Sequence, residues 1–280
     1  MEGNGWEWDS SLYRGSAAYY ARGRLPYPTA LAEALTVELR LDGSGRLLDV
    51  GCGPGSLTLL LAGGFEQAIG IDADADMIRE AGRLAAQAAI PNTRWVCMRA
   101  EDLPAGLGRF ELITFAQSFH WMERPKVAAA VHHMLEPGGV CAHVHAKTYQ
   151  GIAGTIATPY PKPPHAAIEK LVHAYLGPVR RAGASLLPNG TASGEDAIYQ
   201  AAGFTRQRRI DVRGSVVTRT TDDVVAVVFS LSSSTPHLFG ETLASFETEL
   251  RQLLHNASPN GMFSEHTHEI GIDIWQRQSG

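Results

Sequence analysis

Cysteine is scarce: Cys52, Cys97 and Cys141 are the three in 280 residues, and their spacing follows no pattern. That excludes a disulfide framework and a CxxC metal knuckle. Their apolar neighbours make all three buried small hydrophobes. Positive charge is not in excess. Lys and Arg total 24 against 29 Asp and Glu, a formal net charge of −5. There is no basic field for gripping a nucleic-acid backbone, and Arg206, Arg208 and Arg209 read as a solvated strand face. No apolar run approaches the ~20 residues that span a bilayer. The opening stretch MEGNGWEWDSSLYRG has acids and tryptophans where a secretory leader has basic and then apolar residues. These absences predict a cytoplasmic protein with neither nucleic acid nor membrane as partner, and a chain of 280 residues is long enough to stand alone, as monomer or homodimer.

What is present is ordinary globular composition, 44% hydrophobic and 19% charged. From residue 46 the chain repeats one grammar. RLLDV (46–50), QAIGID (67–72), TRWVCM (93–98), FELITFA (110–116) and VCAHVHA (140–146) read as strands. Helical stripes separate them, as in ADMIREAGRLAAQAAI and RPKVAAAVHHMLE, the second broken by PGG. Strands alternating with helices predict a parallel sheet covered on both faces. Ahead of it, an aromatic-rich segment (1–28) ends at two prolines, and a helix follows from Pro28–Thr29. A Gly-, Pro- and Thr-rich stretch begins after 147, followed by a helix, AAIEKLVHAYL, and another loop. FTRQRRIDVRGSVV reads as one strand, TTDDVVAVVFSLS as a helix capped by Thr221, GETLASFETELRQLL as another helix, and HEIGIDIW as a closing strand.

The turn GCGPG (51–55) lies between the first strand and its helix. Bare backbone there lets a ligand approach closely, beside the free N–H groups of a helix N-terminus and beyond the carboxyl ends of the strands. The pattern Gly51-x-Gly53-x-Gly55 puts Ser56 where a dinucleotide fingerprint has its third glycine, and no P-loop Gly-Lys-Ser/Thr follows. Asp72 ends the second strand, at the distance where an acid takes ribose hydroxyls; a helix N-cap is its alternative role. RAEDLP (99–104) and AQSFHW (116–121) follow the third and fourth strands. Of eleven histidines, His143 and His145 point the same way on one strand and His132 and His133 are adjacent, but no third ligand stands at a metal spacing. No metal is expected.

On LLDVGCGPG, GIDADADMI, RAEDLP, LITFAQSFHW and MLEPGGV, residues 46–146 resemble the class I S-adenosylmethionine-dependent methyltransferases. YYARGRLPYP with AQSFHW resembles the branch containing trans-aconitate methyltransferase-like enzymes. The resemblance implies an α/β fold: a Rossmann-like, seven-stranded, mostly parallel sheet with helices on both faces. One domain would fill residues 1–280, with a cap at 1–28 and an inserted lid or substrate segment at 148–195. It implies S-adenosylmethionine as cofactor and S-adenosylhomocysteine as product. Gly51, Cys52 and Gly53 would lie along the methionine part, with Asp49 behind. Asp72 would hold the ribose, Ala73 and Met77 would line the adenine, and Ala100 and Glu101 would face its edge. Arg99 stands where relatives carry an acid. Gln117 and Ser118 would sit near the reacting methyl, and Tyr20 and Arg24 would reach the methionine carboxylate. A sulfonium methyl is already electrophilic, so positioning suffices and no triad is needed. His120 is the candidate base for a hydroxyl or amine acceptor. Trp6, Tyr13 and Trp121, with Trp8 nearby, would meet a small-molecule substrate of the kind met as a natural-product intermediate. The other readings are a non-catalytic S-adenosylmethionine-binding module and an NAD-dependent oxidoreductase.

Overall fold

The computed structural model describes residues 9, 11–154, 157–179 and 194–277, and the backbone of 181–182 and 185–186. Trp6, Trp8 and part of the segment 148–195 lie outside the described residues.

In chain order the elements are α1 (Ala17–Gly23), α2 (Thr29–Leu39), β1 (Arg46–Val50), α3 (Ser56–Leu61), β2 (Gln67–Asp72), α4 (Ala75–Gln87), β3 (Thr93–Cys97), β4 (Phe110–Ala116), α5 (Arg124–Met134), β5 (Leu135–His145) and α6 (His165–Leu176). There follow the two-residue strands β6 (Arg181–Ala182) and β7 (Ser185–Leu186), α7 (Glu195–Ala201), β8 (Phe204–Val212), β9 (Val216–Thr220), α8 (Thr221–Phe229), α9 (Leu243–Ala257), β10 (Met262–His266) and β11 (Ile270–Arg277).

Seven strands form the main sheet in the order β3-β2-β1-β4-β5-β11-β8. The pairs among β1 to β5 are parallel, and β11 runs antiparallel to both β5 and β8. Because the strand side chain alternates faces, β1 sends Leu48 and Val50 to one core and Leu47 to the other. The first core gathers Ile71, Phe115, Val131, Tyr199 and Trp275 beneath α5 and α7. The second gathers Leu112, Val144 and Ile272 beneath Leu31 and Leu35 of α2 and Leu57 and Leu61 of α3. The sequence order reverses between β1 and β4, so a crevice opens at their carboxyl ends. A third apolar cluster, built from α6, α8, α9 and β10 around Val228, Phe229, Phe246 and Phe263, stands beside it.

The α/β grammar predicted the sheet, and four details depart from it. The stretch 204–217 is two strands, not one: β8 stays in the main sheet, while β9 leaves it to pair with β10, a strand the periodicity did not mark. The residues between them, Arg213–Gly214–Ser215, make the turn, and Gly214 packs on the Thr267 carbonyl so closely that a Cβ would sit 2.0 Å from it. The fifth strand starts at Leu135, directly after α5 ends at Met134, and carries Pro137-Gly138-Gly139 within it. The cap of α8 is Thr220, not Thr221. Its hydroxyl accepts the Asp223 amide at 3.2 Å while the Asp223 carboxylate accepts the Thr220 amide at 2.8 Å, a reciprocal capping box. Finally, Cys97 is exposed whereas Cys52 and Cys141 are buried. It ends β3, the edge strand of the sheet, where only one neighbouring strand shields it.

Candidate cofactor and acceptor site

The turn after β1 takes its shape from three glycines with positive φ: Gly51 at 70°, Gly53 at 55° and Gly55 at 81°. They serve different neighbours, which corrects the reading of the whole turn as bare for a ligand. A Cβ on Gly51 would fall 2.5 Å from the Ser118 side chain, and one on Gly55 would fall 2.4 Å from the Trp95 ring. These two glycines let the turn pack on protein. Gly53 is the open one, its nearest neighbour being the Tyr20 ring at 4.0 Å.

Asp72 locks onto this turn. Its Oδ2 accepts the Gly53 amide at 2.8 Å and its Oδ1 accepts the Asp74 amide at 2.9 Å. Burial pushes its carboxyl up to about 6, and those two amide bonds pull partly against the rise. Each oxygen keeps a further lone pair. The N-cap of α4 is Asp74, which accepts from the Asp76 and Met77 amides, so capping is not the task of Asp72. Asp49 is used differently. It is 1% exposed, and its oxygens take the hydroxyls of Thr58 at 2.6 Å and Thr114 at 2.8 Å. It ties α3 and β4 to β1 below the turn, and burial raises its carboxyl.

Above these residues lies a cavity of about 420 Å³. Every residue expected at the cofactor lines it: Gly51, Cys52 and Gly53 with Asp49 and Asp72, Ala73, Met77, Ala100 and Glu101, and Gln117, Ser118, Tyr20 and Arg24. Ser118 donates to the Val50 carbonyl at 2.6 Å. Gln117 holds φ at 58°, a left-handed conformation that is costly for a residue with a Cβ and that marks sites where geometry is imposed. Glu101 accepts the Glu123 amide at 2.8 Å, and Arg99 pairs with it at 3.3 Å. Burial lifts the Cys52 thiol. Arg24 stacks over the Tyr20 ring at 4.6 Å and donates through Nη2 to the Ser230 carbonyl at 2.9 Å. Its Nε is buried with no partner. A guanidinium N–H left unmet at a cavity wall fits an anion such as a carboxylate. The open Gly53, the two acceptor oxygens of Asp72 and this N–H together suit a nucleoside carrying an amino-acid tail.

A second cavity of about 980 Å³ adjoins the first. Tyr13, Tyr20, Arg24, Gln117 and Trp121 line both, so they frame the passage between them. Tyr13 and Tyr20 meet edge to face with ring centres 6.0 Å apart, and burial raises the Tyr13 phenol, its neighbour Tyr20 adding to the effect. His120 borders the larger cavity and meets the Trp121 ring at a tilt, with ring centres 4.8 Å apart. Valines of α8, with Ile168 and Val172 of α6, form its apolar wall. Sequence reasoning weighed His145 only as a metal ligand and missed its partner Asp273. His145 borders the larger cavity, and its Nε2 lies 2.9 Å from Oδ2 of Asp273 on β11. His143 and His145 do share a face, their rings stacked at 4.5 Å. Among the described residues, no group of three or more His, Cys, Asp or Glu side chains could hold a metal, and no helix is long and apolar enough to cross a membrane.

Residues 47–139 match the family model described as a methyltransferase domain. An uncharacterized methyltransferase of Synechocystis is 33% identical over 109 residues, 38% of this chain and 49% of that protein. A trans-aconitate 2-methyltransferase of Deinococcus radiodurans is 35% identical over 100 residues, 35% of this chain and 36% of that protein. The chain thus matches about half the length, or less, of such relatives. Among solved structures, the [4+2]-cyclase SpnF superposes with a TM-score of 0.54 at 17% identity, over 99% of this chain and all of that one. That likeness concerns the fold alone. Residues 47–139 thus match a methyltransferase domain.

Proposed function

We propose that this chain is an S-adenosylmethionine-dependent methyltransferase that methylates oxygen or nitrogen on a small organic acceptor, of the kind met as a natural-product intermediate. The observation that carries the reading is the joined pair of cavities. The smaller is floored by the Gly53–Asp72 unit, and the larger is walled by α6 and α8. When bound, S-adenosylmethionine supplies a methyl group activated by a sulfonium centre.

The protein's own residues then bind and orient. Asp72 holds the ribose hydroxyls, Ala73, Met77, Ala100 and Glu101 enclose the base, and Arg24 with Tyr20 takes the amino-acid carboxylate. Gln117 stands at the passage beside Tyr13 and Trp121, with Ser118 next to it on the cofactor side, where the acceptor meets the methyl. Such positioning, with water excluded, supplies much of the rate enhancement of a bimolecular transfer. The aromatic and aliphatic lining of the larger cavity suits a mid-sized organic molecule rather than a polymer. The relatives named methyltransferases favour transfer over mere binding of the cofactor.

The test is incubation with tritium-labelled methyl donor and a panel of phenols, hydroxy acids, amines and carboxylates. Label passing into an extractable product supports the reading. Tight S-adenosylhomocysteine binding with no transfer to any acceptor would favour a non-catalytic cofactor-binding module, and stabilisation by NAD instead would favour an oxidoreductase.

A further inference from the structure

The odd-numbered residues of β5 and β11 share one face of the sheet, and that face carries a polar chain from the core to the larger cavity. His143 is 7% exposed and packs among Phe115, Phe119 and Tyr199, with Nδ1 3.1 Å from the Tyr199 hydroxyl. Burial pushes its imidazole down to about 3, so it stays neutral. Two residues nearer the carboxyl edge, His145 stacks on it and reaches the cavity wall. Asp273, opposite His143 in the antiparallel register, is 3% exposed and turns Oδ2 to His145 Nε2 at 2.9 Å. Arg206 approaches Asp273 at 3.3 Å and Arg209 at 3.6 Å, two ion pairs on the same carboxylate.

We propose that His145, oriented by Asp273, is the proton acceptor for a hydroxyl acceptor, a phenol above all, bound in the larger cavity. This rests on the methyltransferase reading. A carboxylate opposite Nε2 fixes the tautomer with the proton on Nε2 and the lone pair on Nδ1, and it stabilises the imidazolium once formed. The acceptor hydroxyl gives its proton to Nδ1. Its oxygen pair forms the new bond to the methyl carbon, the carbon–sulfur bond breaks with its electrons left on sulfur, and the imidazolium later passes the proton to water. Asp273 is a positioning residue. The aromatic frame of Tyr13, Tyr20 and Trp121 suits a ring on the acceptor. The charged and titratable groups around His145 are His143 on its own strand, Asp273 on β11, Arg206 and Arg209 on β8, His120 after β4, and Lys147, His268 and Glu269 at the rim.

Two measurements test this on the full-length protein. In the first, nitrogen-15 histidine spectra should show His145 with the proton on Nε2, and Asp273→Asn should disturb that tautomer. In the second, methyl transfer is followed with 4-nitrophenol, 4-hydroxybenzoate and 3,4-dihydroxybenzoate. The expected products are ethers. His145→Gln should lose ~100-fold or more on the two weakly acidic phenols and far less on 4-nitrophenol, which is largely ionised in mildly alkaline buffer. Asp273→Asn should lower kcat on the two weakly acidic phenols more than on 4-nitrophenol, with KM little changed, because the imidazole loses the partner that orients it. S-adenosylhomocysteine binding by His145→Gln, measured calorimetrically, should stay intact. Methyl esters in place of ethers, equal losses on all three phenols, or a cofactor-binding protein that methylates none of them would overturn the proposal. Failure of the wild-type protein to bind the cofactor would instead strike the methyltransferase reading itself.

Discussion

Asp72 accepts the backbone amide of Gly53 at 2.8 Å, so the acid that ends β2 and the turn that follows β1 form one unit. The parallel register makes this contact possible: Val50 lies opposite Ile71, which brings the two strand ends level. A ligand that engages Asp72 therefore meets a carboxylate whose position the neighbouring main chain already fixes.

That carboxylate makes cofactor affinity depend on pH. Its value is raised by burial from 3.8 to about 6. Below about 6 the folded protein binds a proton there and loses an acceptor, so S-adenosylhomocysteine affinity should fall by about tenfold per pH unit on acidification. Stability should move the other way. Between about 6 and 3.8 the folded state holds a proton that the unfolded chain releases, so the Asp72 contribution to stability grows as pH falls through this window. Calorimetry and denaturant unfolding across this range check both signs, and Asp72→Asn should flatten both trends.

The glycines of the turn should separate by function. Gly51→Ala and Gly55→Ala each combine a left-handed φ with a clash against Ser118 or Trp95, costing about 1–2 kcal/mol for the backbone and about 1–3 kcal/mol for the overpacking. Gly53→Ala meets no protein atom closer than 4.0 Å. It should cost only the backbone part in thermal unfolding while weakening cofactor binding, because the added methyl faces the cavity.

Arg24→Gln should discriminate between ligands. The unpartnered Nε is the group suited to the amino-acid carboxylate. S-adenosylhomocysteine should bind ~10- to 100-fold more weakly to the variant, whereas 5′-methylthioadenosine, which lacks that carboxylate, should bind within about twofold of its wild-type affinity.

Thr220→Ala removes half of the capping box of α8 and should cost about 1 kcal/mol, a drop in Tm of about 2 °C. The same change at Thr221, whose hydroxyl donates to the Gly261 carbonyl at 3.3 Å, leaves the box intact and should cost less. Thermal unfolding of the two variants side by side checks the order.

The pair Thr220–Thr221 also illustrates what a sequence can and cannot settle. Either threonine could cap the helix, and the choice falls to Thr220 because Asp223, three residues on, can reach back to its amide. The first five strands and the glycine turn were legible because their signals are local: apolar runs, a turn needing positive φ, an acid at a strand end. β10 was not, since MFSEH shows no clear alternation and exists as a strand through β9. The reason for Gly55 is Trp95, forty residues away in the chain and adjacent only across the sheet. The His145–Asp273 pair spans 128 residues and depends on β11 inserting antiparallel beside β5, a topology that no local pattern announces.

Calorimetric titration of S-adenosylhomocysteine into the wild-type protein and Asp72→Ala, with thermal unfolding as a check on folding, probes the core of this account most directly. Two hydrogen bonds to a charged carboxylate are worth roughly 1.5–3 kcal/mol each, so a folded Asp72→Ala protein should bind at least ~100-fold more weakly than wild type. Equal affinity in a folded variant, or a wild-type protein that binds no S-adenosylhomocysteine, would contradict it.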